Sequence, residues 1–103
     1  MSETILSPAG RLDSHSAPGF EQEVLAAVAG GTTQMLIDFS KVQYISSAGL
    51  RIVLIAAKKL KAVGGKLALC SLNASIAEVF KVSGFGSILD IHPDQASALT
   101  ALR

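Results

Sequence analysis

The sequence predicts an α/β domain, with a mainly parallel sheet of about four strands flanked by about four helices. Three observations predict it. Short continuous apolar runs, suited to strands buried on both faces, alternate with segments whose apolar residues recur at helical spacing. Glycines or Ser-Gly steps punctuate the ends of the helical segments, and strand-helix alternation of this kind implies right-handed crossovers. The third is bulk: 103 residues, 50% hydrophobic and 17% charged, are enough for a single domain spanning 1–103 and exclude a disordered chain.

Ile5 to Leu12 reads as a short strand interrupted by Pro8, which lacks a donor and is confined to an edge or strand start. Asp13 to Ser16 form a turn. Ser16-Ala17-Pro18 then caps a helix carrying Phe20, Val24, Ala27 and Val28 at helical spacing, which stops at Gly30-Gly31. Gln34 to Phe39, centred on Met35, Leu36 and Ile37, has the length of a buried strand. A further apolar turn follows it and leads to Ser46 and Ser47. From Ala48 the stripe Leu50, Val53, Leu54, Ala57 and Leu60 predicts a helix ending at Gly64-Gly65. Ile52, Ile55 and Ala56 lie off that stripe, forming a second apolar face that is either partly open beside the serines or buried by packing on two sides.

Lys66 to Ser71 repeats the buried-strand pattern, and Asn73 caps a helix with Ile76, Val79, Phe80 and Val82 that ends at Ser83-Gly84. Ile88 to Ile91 reads as the last strand. His92-Pro93-Asp94 is a turn, and Gln95 to Leu102 is a terminal helix with Ala98, Leu99 and Leu102 inward.

Composition narrows the function. A net charge of +1 gives no long-range field for nucleic acid, and Lys58, Lys59, Lys61 and Lys66 read as a solvated helix end. No apolar run reaches the ~18 to 20 residues of a membrane span, and no signal peptide is visible. The single Cys70, within Leu67-Ala68-Leu69-Cys70, reads as a buried structural thiol in a reducing, cytoplasmic setting.

Signs of catalysis are sparse. His15 and His92 sit beside turns without metal-ligand spacing, and Gly64-Gly65-Lys66 ends a helix where a phosphate loop would open one. Ser46-Ser47-Ala48-Gly49 fails the G-x-S-x-G pattern of a nucleophile elbow because Ile45 stands in the first glycine's place. The chain reads as a non-enzyme without cofactor or metal. Ser46 and Ser47 stand at a helix entrance, where hydroxyls accept from free N–H groups and a phosphate would meet the positive end of the helix dipole. The residues alone leave two readings open, helix capping and a hydroxyl that carries a reversible charge.

Asp38-Phe39-Ser40-x-Val42-x-Tyr44-Ile45-Ser46-Ser47-Ala48-Gly49-Leu50 resembles the signature of STAS-domain anti-sigma factor antagonists, the small bacterial phosphoswitch proteins of sporulation and general stress pathways. The resemblance extends over Ala9-Gly10-Arg11-Leu12-Asp13, Gly64-Gly65-Lys66-Leu67-Ala68-Leu69 and Val79-Phe80-Lys81-Val82-Ser83-Gly84-Phe85, in order, across roughly residues 9–92. It implies a single STAS domain. It also implies Ser47 as the phosphorylation site, with Ser46, Ser47 and Gly49 in the partner contact; Asp13, expected at the same sheet edge, either orients the partner or the serine or caps its own turn, and Arg51, one turn into the helix, is a rim contact by location alone. Ser46 takes a place where many relatives carry Asp, and Ala48 one often held by a second Ser or Thr.

The implied partners are an anti-sigma factor that is also a serine-protein kinase, bound by the unphosphorylated chain so that a sigma factor is released, and a PP2C-type phosphatase that resets Ser47. Neither direct nucleic-acid binding nor a membrane enters this scheme. The alternative is a non-enzymatic STAS interaction subunit of a larger regulatory or transport assembly. Eight residues precede Ala9, where the family carries an additional strand. The reading therefore expects a shortened N-terminal edge open to a weak homodimer.

Overall fold

Two parallel sheets organise the computed structural model, which describes residues 3–102; Met1, Ser2 and Arg103 of the expected 1–103 domain lie outside the described residues. The elements are β1 (Glu3–Leu6), β2 (Gly10–Leu12), α1 (Ala17–Ala29), β3 (Gln34–Asp38), β4 (Val42–Ile45), α2 (Ser47–Ala62), β5 (Lys66–Cys70), α3 (Ala74–Ser83), a 3₁₀ turn (Phe85–Ser87), β6 (Asp90–His92) and α4 (Gln95–Leu102). β1, β3, β5 and β6 form one sheet in the order β1-β3-β5-β6, and β2 pairs with β4 in a second. The α/β architecture read from the sequence, a mainly parallel four-stranded sheet with four helices, is the one observed.

Period-two alternation decides which helices cover which face. Met35, Leu36 and Ile37 of β3 are all fully buried, but on opposite sides. Met35 and Ile37 join the larger cluster with Phe20 and Val24 of α1, Val53 and Leu60 of α2, and Phe80 of α3. Leu36 lies with Ala68 and Cys70 of β5 against Ala98 and Leu102 of α4. Phe39 and Phe80 meet edge to face with centroids 6.1 Å apart, which ties the end of β3 to α3. Cys70 is a buried free thiol, and burial pushes its pKa up.

The structure departs from several expectations. Ile5–Leu12 is not one interrupted strand: the chain leaves β1 after Leu6, passes Pro8, and enters the second sheet at Gly10, whose N–H donates to Lys41 O at 2.8 Å. The additional N-terminal strand is therefore present as β1, paired residue by residue with β3 from Glu3↔Gln34 to Leu6↔Ile37. The apolar turn before the serines is strand β4, too short to show a period and recognisable only through its partner β2. The last strand begins at Asp90, because Gly84 closes α3 in the left-handed region (φ 83°) and the chain continues as the 3₁₀ turn, leaving Ile88 70% exposed; His92 is consequently a half-buried strand residue paired with Cys70 rather than a turn residue.

The buried face of α2 also differs from the expectation. Ile52 and Ala56 are buried, whereas Leu54 and Ala57 of the expected inner stripe are only half-buried. The helix packs on α1 as well as on both sheets, so its buried face is turned toward Ile52, Val53, Ala56 and Leu60. No helix among the described residues is long and apolar enough to cross a membrane.

Candidate functional site

The β2–β4 pair exists to deliver two chain turns to one end of the molecule. Leu12 lies opposite Ile45, so Asp13 leaves one strand where Ser46 and Ser47 leave the other. The Ser46 N–H donates to Leu12 O at 2.8 Å and locks that junction.

Ser46 is the N-cap of α2. Its backbone is extended (φ −95°, ψ 176°), its carbonyl accepts from Leu50 N at 2.9 Å, and its Oγ accepts from Gly49 N at 3.4 Å. Ser47 is the first residue of the helix and is exposed, and its hydroxyl makes no hydrogen bond among the described residues. Ser46 caps; Ser47 presents a free hydroxyl to solvent at the positive end of a 16-residue helix.

Gly49 explains how the helix start comes so close to β2. A Cβ at this position would stand 2.5 Å from Leu12 O and 2.9 Å from Leu12 Cβ, distances at which atoms overlap. Gly49 is buried, and its missing side chain sets the height of α2 over β2.

Asp13 is fixed by its own turn. Its Oδ1 accepts from the backbone N–H groups of Ser16 (3.2 Å) and His15 (3.0 Å), while Ser16 Oγ accepts from Asp13 N at 3.1 Å and donates to Arg11 O at 2.6 Å. Ser16 itself makes no side-chain cap to α1, contrary to the sequence expectation, because its hydroxyl is used within this turn. The Ser16 N–H, then that of His15, then the Arg11 guanidinium hold the Asp13 carboxyl below the usual 3.8. A lowered folded pKa gives stability that is fully present above the unfolded value and is lost as pH falls through the folded one. Asp13→Asn keeps an acceptor for both N–H groups but cannot titrate. Its urea midpoints, followed from neutral pH to about pH 2, should therefore fall less steeply below about pH 4 than those of the wild type; parallel profiles would contradict this.

Sequence reading missed Arg11 and Tyr44. They are register partners across β2 and β4, with the Arg11 guanidinium carbon 4.3 Å from the Tyr44 ring centroid and Arg11 Nε 3.5 Å from Asp13 Oδ2. Both are exposed, and no sequence signal joins them without knowledge of the β2–β4 pairing. Arg51, one turn into α2, is exposed on the other flank of Ser47. It rims a hollow of about 220 Å³ between α1 and α2, together with Ser14, Pro18, Glu21 and Ala48. The surface around Ser47 therefore combines the Ser47 hydroxyl, the Arg11 and Arg51 guanidinium groups, the Asp13 and Glu21 carboxylates and the Tyr44 ring, with no buried acid-base pair among them.

The model of the STAS domain family matches residues 2–98. A Bordetella bronchiseptica protein, BtrV, named as a candidate anti-sigma factor antagonist, is 40% identical over 94 residues, spanning 91% of this chain and 81% of BtrV. Among solved structures, a candidate anti-sigma factor antagonist from Thermotoga maritima superposes with a TM-score of 0.91 at 25% identity over 96% of this chain and 86% of that one. The phosphorylated form of the Bacillus cell fate determinant SpoIIAA gives a TM-score of 0.75 at 25% identity, covering 100% and 94% of the two chains. A family model that spans nearly the whole chain, a close sequence relative and a shared backbone lead to one conclusion: this chain belongs to the STAS domain family.

Proposed function

We propose that this chain is an anti-sigma factor antagonist whose affinity for its partner is set by phosphate on Ser47. In the unphosphorylated form it docks on an anti-sigma factor through the surface formed by Asp13, Ser46, Ser47 and Arg51, with Arg11 and Tyr44 adjoining, and the sigma factor held there is released. The anti-sigma factor is itself a serine-protein kinase. It transfers the γ-phosphoryl group of ATP to Ser47 Oγ; the O–H bond of the serine breaks, its proton passes to the kinase base, and ADP leaves. A PP2C-type phosphatase resets the switch by hydrolysis, water attacking phosphorus and inorganic phosphate leaving the restored hydroxyl. The exchange belongs in the cytoplasm, where sigma factors act, and this chain is substrate and ligand in it rather than catalyst.

The observation that carries this reading is the division of labour between the two serines. Because Ser46 closes the helix, Ser47 can gain or lose a phosphate without uncapping α2. The names of the sequence and structural relatives, one of them solved in a phosphorylated form, support it. Displacement tests it: the unmodified chain, titrated into a preformed complex of a cognate anti-sigma factor and its sigma factor, should free the sigma factor with saturation near one equivalent. A complex that stays intact at a large excess of this chain would refute the proposal.

A further inference from the structure

The C-terminal half of α2, remote from the serines, carries an unexplained surface. α2 has four cations, Arg51, Lys58, Lys59 and Lys61, and not one carboxylate, so it cannot neutralise itself by pairs one turn apart. None of the four forms an ion pair among the described residues. The macrodipole accounts for cations at a helix end. It does not account for the apolar trough beside them.

That trough, of about 440 Å³, runs between α2 and the segment joining the 3₁₀ turn to β6. Leu54, Ala57, Ile88 and Leu89 form its floor and far wall, Lys58 and Lys61 its near rim, and no acidic side chain lines it. Ile88 is 70% exposed there. On the other side of Lys58 a second hollow of about 400 Å³ is lined by Ile55, Lys58, Lys59 and Ala62, again without a carboxylate. Leu54 to Lys61 spans about 10 Å of helix axis, or two turns, and Lys58 lies about 16 Å along the axis from Ser47.

We propose that this trough is a second docking site, for an acidic amphipathic helix of a partner protein. The charge pattern and the shape both favour that occupant. Lys58 and Lys61 are one turn apart on a single bank, the spacing at which carboxylates one turn apart on a facing helix would meet them, while leucine-like side chains on its apolar stripe would fill the floor. A flat layer of anionic headgroups would match neither the concave floor nor cations confined to one bank. The site rests on neither Ser47 nor the phosphoswitch.

The test uses the full chain, labelled with ¹⁵N, and a synthetic acetylated peptide with leucines at i, i+3, i+4 and i+7 flanked by glutamates. Amide shifts should concentrate at residues 54–61 and 88–89. Lys58→Glu combined with Lys61→Glu, both solvent-exposed and checked by an unchanged melting curve, should weaken binding about tenfold or more. Alanines at the same two positions should weaken it less, and Ser47→Ala should leave it unchanged. The proposal is overturned by absence of shifts, by equal binding of a peptide with lysines in place of the glutamates, or by charge-reversed and wild-type chains of equal affinity. Oleate or phosphatidylglycerol vesicles shifting these amides while the glutamate peptide does not would equally overturn it, in favour of a lipid surface.

Discussion

Phosphorylation of Ser47 is expected to weaken docking on the anti-sigma factor about a hundredfold. A phosphoserine adds roughly −1.5 to −2 charges. At an exposed helix start that closes against a partner, desolvating this charge without a full complement of cations costs about 3 kcal/mol. Each 1.4 kcal/mol is about tenfold in affinity, which gives the hundredfold figure. The free phosphoprotein gains a further ~0.3 to 1 kcal/mol from the positive end of α2, in the same direction. No rearrangement is required, because Ser47 already faces solvent and Ser46 keeps the cap. Calorimetric titration of the two forms against the anti-sigma factor reads the difference. Ser47→Ala should bind like the unmodified chain and no longer respond to kinase and ATP; equal affinity of the phosphorylated and unphosphorylated forms would sink the electrostatic account.

Gly49→Ala should be among the most damaging single methyl groups that can be added to this chain. Its Cβ would fall 2.5 Å from a backbone carbonyl oxygen, Leu12 O, and that atom cannot rotate away as a side chain could. α2 must lift from β2, straining the Ser46 N–H bond to Leu12 O and loosening Leu50 and Ile52 in the core beneath. Overpacking of this kind costs about 3 kcal/mol, at the upper end of its usual range. For a domain of this size that corresponds to a fall in Tm on the order of 15 °C. The same lift moves Ser47 relative to Asp13, so the folded fraction should also be a poorer docking partner. A melting temperature within a degree or two of wild type would show that the close approach is softer than the distances imply.

What the sequence disclosed and what it hid have separate physical causes. β3 and β5 were legible because strands buried on both faces must be continuously apolar, and Met35-Leu36-Ile37 and Ala68-Leu69-Cys70 have no other plausible use. The caps of α3 were legible because side-chain chemistry determines them: Asn73 Oδ1 accepts from Ile76 N at 2.8 Å, and Gly84 takes the left-handed turn; the expected Ser16 cap of α1 was not, because the Asp13 turn takes up its hydroxyl. β2 and β4 were hidden. Strands of three and four residues show no period, and each is defined by the other across about thirty residues of chain. With them went the Arg11–Tyr44 stack and the reason for Gly49, since all three follow from that pairing. The orientation of α2 was misjudged for a related reason: its apolar residues nearly encircle it, so only packing on α1 decides that Ile52 is inside and Leu54 at the margin. Ser47 was singled out through resemblance alone, whereas the separation of its hydroxyl from the cap was visible only in the structure.

In the proposed switch Ser47, and not the neighbouring Ser46, carries the phosphate. Intact mass and site mapping after incubation with ATP and a cognate anti-sigma kinase test it most directly, with wild type, Ser46→Ala and Ser47→Ala compared side by side. Wild type and Ser46→Ala should each gain one phosphate, and Ser47→Ala none. Phosphate mapped to Ser46, or an unmodified wild-type chain, would contradict it.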